Sequence, residues 1–231
     1  MILGLDTTTE RLYLALVAGE RAWTHCVEPE AGRSHSAALL PALAALLETA
    51  GATQADLTGV VVCVGPGGFT ALRIGVATAE GLALTGLPTW GFSAFELRAR
   101  TLRAAGVAGP VWILLDGQRQ EAFLQRWEAA AAGPALKRSL AELQDTIGAQ
   151  AWWAPDAFRE RAAAVLTQPC QVLGDEPAAT LLGLCALARE RPLGPAESPL
   201  APFYLRQTDA EVNFPEASGH LSEAQSRGEA R

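Results

Sequence analysis

Apolar residues open the chain as short runs divided by polar turns. Met1–Leu5 is apolar, Asp6-Thr7-Thr8-Thr9-Glu10 is polar, and Leu12–Val17 is apolar again, which predicts a hairpin. Gly19-Glu20 marks a second turn and Arg21–Val27 a third strand, so three antiparallel strands are expected. The period then changes. Ser34–Ala50 (SHSAALLPALAALLETA) reads as a helix capped by Ser34 or Ser36 and closed by Gly51, with Pro41 deep enough to kink it. Leu39, Leu40, Leu43, Leu46 and Leu47 form a wide apolar face, and alanines fill most of the rest. Leu57–Val64 returns to a strand pattern, and its Val-rich run suits burial on both faces. Gly65-Pro66-Gly67-Gly68 is a tight turn before a helix over Thr70–Leu84, capped by Thr70, whose charged members are Arg73 and Glu80. Pro88–Gly91 is extended, and Phe92–Ala105 is a helix capped by Ser93.

Two helices that are apolar nearly all round have two explanations: a large core, or a core continued into an oligomer interface. The second half contains an echo of the first. Val111–Leu115, Asp116, a polar turn over Gly117–Glu121 and the apolar run Ala122–Trp127 repeat the order of Ile2–Leu5, Asp6, Thr7–Arg11 and Leu12–Val17. Either two hairpins coincide, or the fold is duplicated, each lobe opening with strand, aspartate, turn, strand. Beyond this the pattern is fainter: a short helix at Leu140–Gln144, a strand at Ala151–Ala154, a helix at Pro155–Leu166, a strand at Gln171–Leu173, an apolar helix at Ala178–Arg191 and an extended PFYLR segment at Pro202–Arg206. The boundaries expected are an N-terminal lobe over 1–105, a C-terminal lobe over 106–206 whose last segment can pack back on the first, and a polar, disordered tail over 207–231.

Composition narrows the function classes. Hydrophobic residues make up 49% of the 231, enough for a sizeable core. The formal charge is −7, and Lys137 is the only lysine. With no basic cluster, autonomous binding of RNA or DNA is not expected. Cys26, Cys63, Cys170 and Cys185 lack metal-ligand spacing. No signal peptide and no apolar stretch near 18 residues is seen, so a cytoplasmic protein is expected, with no membrane association.

The glycine turn Gly65, Gly67, Gly68 is not a phosphate-binding loop of the G-x-x-x-x-G-K-S/T type, and Thr70 stands where a dinucleotide fingerprint needs its third glycine. It reads either as a packing turn or as an anion site. Asp6 and Asp116 end strands beside polar turns, where aspartates of a two-lobed nucleotide-binding fold orient a metal and water. Asp6 is followed by Thr7 and Thr8 rather than glycine, so Asp6, Thr7, Thr8 and Asp116 are at most a vestigial nucleotide site, and a plain hairpin cap fits equally well. His35 begins a helix, but Leu39 occupies the position one turn on that a second ligand would need, so no metal site is assigned.

Four blocks together carry a resemblance. Ile2–Glu10 (ILGLDTTTE), Arg33–Leu47 (RSHSAALLPALAALL), Val64–Leu84 (VGPGGFTALRIGVATAEGLAL) and Pro202–Arg206 (PFYLR) resemble the TsaB (YeaZ) family, strongly over the first 100 residues and weakly from there to about 200. The resemblance implies a two-lobed α/β fold of the actin/Hsp70/sugar-kinase-like (ASKHA) type, with a duplicated mixed β-sheet core flanked by helices. It implies a non-catalytic scaffold or dimerisation subunit of the complex that transfers a threonylcarbamoyl group to N6 of adenosine 37 in tRNAs reading A-starting codons. Activity is then expected in a TsaD-like catalytic paralogue, with a TsaE-like ATPase component, tRNA contacted only through the complex, and a homodimer when the chain is alone. No cofactor is expected for the chain itself; ATP or ADP and metal are expected only in the complex. The partner interface is assigned to His35, Leu39, Leu43, Leu46, Leu72, Ile74 and Val76 on the two apolar helices. The rival readings are a stand-alone ATPase or kinase of the same fold, a peptidase-like hydrolase, and a homodimer with an independent binding role.

Overall fold

The computed structural model describes residues 1–28, 35–128, 132–171, 176–190, 196 and 199–206. The first sheet comprises β1 (Ile2–Asp6), β2 (Leu12–Ala18), β3 (Arg21–Val27), β4 (Gly59–Gly65) and β5 (Thr89–Ser93), ordered β3-β2-β1-β4-β5. β1, β2 and β3 are antiparallel, and β4 and β5 join parallel to β1. Helices α1 (His35–Ala50), α2 (Phe69–Ala83) and α3 (Ala94–Ala104) alternate with the later strands. The second sheet repeats the opening with β6 (Val111–Gln118), β7 (Glu121–Trp127), β8 (Ala132–Ser139) and β9 (Trp152–Trp153), ordered β8-β7-β6-β9, and carries α4 (Leu143–Ile147) and α5 (Asp156–Ala163). α6 (Glu176–Glu190) packs against α3, β1 and β2, so a helix from the second half completes the first sheet. The expected two-lobed α/β architecture with duplicated mixed sheets is observed.

The period-two alternation of the strands assigns each side chain to a layer. Leu12, Leu14 and Leu16 of β2, with Val60 and Val62 of β4, face α1 and α2 in one core. Tyr13, Ala15, Val17, Val61 and Cys63 face the opposite way into a central core with residues of α3 and α6. Ile113, Leu115 and Phe123 of the second sheet enter that same central core, while Trp112, Leu114 and Leu124 face α4 and α5. The molecule is thus five layers deep, with α3 and α6 between the sheets.

Several boundaries differ from the sequence reading. Phe92 is a strand residue, and α3 starts only at Ala94, after Ser93 accepts the Glu96 N–H at 3.0 Å. Thr70 is not the cap of α2: that role falls to Gly68, which makes no side-chain cap bond. α1 runs continuously through Pro41. β8 was not expected, because Gly133 and Pro134 break its pattern; it is an edge strand, where a missing N–H is tolerated. Cys170 forms an isolated bridge with Trp152, while Val172 and Leu173 of the strand expected there lie outside the described residues, as do Ser34 and the tail from 207.

Candidate functional site

The two turns that carry the sequence motifs lie against each other. Asp6, at the end of β1, is fully buried. Its Oδ1 accepts the Thr8 N–H at 2.9 Å and the Thr8 hydroxyl at 2.6 Å, and its Oδ2 takes Arg98 at 3.2 Å. Arg98 comes from α3 and is itself fully buried, with the Tyr13 ring centroid 5.7 Å from its guanidinium carbon. The Thr7 hydroxyl donates to the Ala71 carbonyl at 2.7 Å, and the Gly68 N–H to the Thr8 carbonyl at 3.3 Å. A side chain at Gly67 would place its Cβ 2.5 Å from Thr8 Cβ and 2.7 Å from the Thr8 carbonyl oxygen. At Gly65, whose φ is +113°, an added Cβ would likewise come within 2.7 Å of the Phe203 carbonyl oxygen. At Gly67, then, the turn is packed directly against Thr8, with no room for a side chain. Gly68 differs, since a Cβ there would meet only Ala71, at 3.8 Å.

Beside this junction the Cys63 thiol donates to the Thr8 hydroxyl at 3.8 Å. Burial, and then the charge of Asp6, push that thiol well above its ordinary value, so it stays protonated and unreactive.

Asp116, in the second copy, accepts the Gln118 N–H at 2.8 Å and pairs with Arg161 of α5 at 2.8 Å. It borders a cleft of about 800 Å³ between the lobes. Pro66–Ala71 and Arg73 form one wall, the turn Asp116–Arg119 another, and Phe203–Arg206 the rim. Gln118, Arg119 and Gln120 all hold positive φ, so the turn at this rim is unusual for residues that carry side chains. Asp6 and Asp116 are not brought into one open site: Asp6 is sealed behind Thr8 and Arg98, while Asp116 reaches the cleft bound to Arg161. With both carboxylates matched to arginines, these residues do not fit a divalent cation, and no cluster of three or more His, Cys, Asp or Glu occurs among the described residues.

The proposed interface residues also need correction. Leu39, Leu43, Leu46, Leu72 and Val76 are buried in the chain's own core under α1 and α2, and Ile74 is packed against it. The five buried ones present no outer surface, because the 3.6-residue period turns them toward the sheet, and Ile74 is only partly exposed. His35 is half-buried, its Nε2 2.8 Å from the Thr9 carbonyl oxygen, and ties α1 to the Asp6 turn. The outer face is made by other residues: Ala37, Leu40, Pro41, Ala44 and Ala45 of α1, and Phe69, Arg73, Ala77 and Gly81 of α2 with Leu84 at its end. Leu40 is 61% exposed and Leu84 is 90% exposed. The residues missed by sequence reasoning therefore fall in two groups. Arg98 had a signal, standing on the same helical stripe as Phe95 and Leu102, where a charge must have a buried partner. Leu40 and Leu84 had none, since leucines on both sides of an apolar helix look alike.

Comparison with known proteins decides the family. The model of the family described as "TsaD: tRNA N6-adenosine threonylcarbamoyltransferase" matches residues 26–157. The tRNA threonylcarbamoyladenosine biosynthesis protein TsaB of Escherichia coli is 30% identical over 128 residues, 55% of this chain and 54% of that protein. YeaZ from Pseudomonas aeruginosa superposes with a TM-score of 0.68 at 26% identity, covering 88% of this chain and 99% of the other. The chain belongs to the TsaB (YeaZ) family. Similarity also extends over nearly the full length of an uncharacterised protein of Mycobacterium tuberculosis, 30% identical over 91% of this chain and 93% of that one. None of the helices among the described residues is long and apolar enough to cross a membrane.

Proposed function

We propose that this chain is a non-catalytic scaffold and dimerisation subunit in tRNA threonylcarbamoyladenosine biosynthesis. A TsaD-like catalytic paralogue docks on the outer face of α1 and α2, and the assembly transfers the threonylcarbamoyl group to N6 of adenosine 37. The observation that carries this reading is the exposed apolar row from Leu40 and Pro41 to Ala77 and Leu84 on adjacent helices. Water-exposed apolar faces of this kind mark protein partners. The small residues Ala37, Ala44, Ala77 and Gly81 let a partner helix approach closely.

The cleft supports the non-catalytic part. A nucleotide-hydrolysing cleft needs a carboxylate free to hold a metal or orient water, and both strand-end aspartates are held by arginines. Nucleotide, metal and the TsaE-like ATPase component enter with the partner, and the net charge of −7 leaves tRNA contact to the other subunits. In the partner's absence the same face serves a second copy of the chain.

The test is co-purification with a paralogue bearing H-x-x-x-H, followed by measurement of modified adenosine in tRNA. Wild type is expected to bind and support modification, and Leu84→Arg to lose both while remaining folded. Micromolar ATP binding with turnover by the isolated chain would overturn the scaffold reading in favour of a stand-alone ATPase or kinase.

A further inference from the structure

The outer face of α2 holds one cation, and its surroundings are unusual. Phe69, Arg73, Ala77 and Leu84 follow each other at helical spacing and share one side. The Arg73 guanidinium carbon sits 3.8 Å from the Phe69 ring centroid, and Arg73 Nε donates to the Tyr204 hydroxyl at 3.2 Å. The Phe69 and Tyr204 rings are 5.3 Å apart, and both remain about two-fifths exposed, at 39% and 40%. Tyr204 is delivered by the segment 199–206, which is fixed along α2 by the Leu200 N–H on Glu80 Oε1 at 2.6 Å and the Phe203 N–H on the Val64 carbonyl at 2.7 Å.

Among the described residues Arg73 has no carboxylate partner, whereas Arg98, Arg100, Arg161 and Arg206 each pair with one. Glu80, the other charged residue of α2, is engaged by Leu200. The guanidinium is therefore held by a ring and a hydroxyl through one nitrogen and one face, and among the described residues its terminal nitrogens have no ionic partner, at the edge of α2 where the outer face meets the cleft wall.

We propose that Arg73, held between Phe69 and Tyr204, is the charged anchor of the α1–α2 docking face and takes a carboxylate from the partner subunit. This rests on the scaffold reading above. A planar fork already fixed in place loses little freedom when it binds a carboxylate, and its geometry matches both oxygens. Aromatic neighbours and the apolar rim exclude water, which strengthens the pair, and arginine and tyrosine are the residue types that dominate interface energies. A protein carboxylate fits better than an RNA phosphate. Tracking a phosphate backbone takes several free cations, whereas Arg206, at the same cleft rim, is already paired with Glu121. The proposal also gives the 199–206 segment a role: it builds part of the docking face.

The experiment measures affinity of the full chain for the TsaD-like subunit by calorimetry, without tRNA. Arg73→Met, which keeps the stem but not the fork, is expected to weaken binding by about 30-fold or more, Arg73→Lys by about 10-fold, and Tyr204→Phe by about 3-fold. Thermal midpoints should stay at the wild-type value, since Arg73 is exposed. Arg73→Glu should be rescued by one aspartate- or glutamate-to-arginine change in the partner. If wild type binds and Arg73→Met binds equally well, the anchor is refuted and the scaffold reading stands. A defect seen only when tRNA is added assigns Arg73 to a phosphate and also refutes it. If wild type itself does not bind, the scaffold reading falls first.

Discussion

Asp6 and Asp116 stand at the same place in two copies of one local pattern, each six residues ahead of the next apolar run. Their surroundings differ. Asp6 is fully buried, with Thr8 on one oxygen and a fully buried arginine on the other, and its turn is joined to the glycine turn by the Thr7–Ala71 and Gly68–Thr8 bonds. Asp116 is half-buried at the cleft wall, and its arginine partner is 38% exposed. The first turn has become an internal fastening of the lobe, and the second remains a surface feature. An ion pair out of water is costly to break, because the orphaned charge cannot be solvated, whereas a wet pair yields little when lost.

That contrast can be broken most severely at Arg98. Arg98→Ala leaves Asp6 buried and uncompensated and should cost about 3–5 kcal/mol of unfolding free energy, read from urea titration. The double variant Asp6→Asn/Arg98→Met should recover much of that loss; a double variant as unstable as the single would mean the ion pair is not what matters there. Next is the seam between the turns. Gly67→Ala forces a Cβ against Thr8 and should cost about 1–3 kcal/mol, while Gly68→Ala, with open space, should stay within about 0.5 kcal/mol of wild type. Equal effects at the two glycines would contradict the close approach. In the second copy, Arg161→Ala should change stability by no more than about 1 kcal/mol in the same titration.

The smallest effect concerns Glu121, which begins the second strand of that copy. Arg206 first, and Lys137 less, hold its carboxyl below the ordinary carboxylate value. A lowered folded value means the contribution is present above the unfolded value of about 4.3 and is lost as pH falls through the folded value. Arg206→Ala should therefore narrow the stability difference between pH 6 and pH 3 by less than about 1 kcal/mol. An unchanged pH profile would show that the rim segment is not tied there.

Much of the fold was legible. The hairpin pattern, the Val-rich strand, the two apolar helices and the repeat at Asp116 each follow from local periodicity, and each is present. β8 escaped because an edge strand tolerates glycine and proline, which mask its pattern. The site was less legible. The glycines were visible, but Thr8 filling the space beside Gly67 was not, since that contact joins residues far apart in the chain. The two apolar helices are present as read, yet the residues assigned to their outer face are mostly the ones that face the core. Leu39 and Leu40 differ by one position in sequence and by 1% against 61% in exposure.

What the amino-acid order settled by itself is whatever depends on composition and near neighbours: the acidic charge, element type, and the alternation that sends side chains to opposite layers. What the tertiary structure decided is which side of each element meets water and which charge meets which. Arg98 reaches Asp6 across 92 positions and Tyr204 reaches Arg73 across 131. Such pairings depend on how the layers stack, and a one-dimensional pattern carries no record of that stacking until the strands and helices have packed.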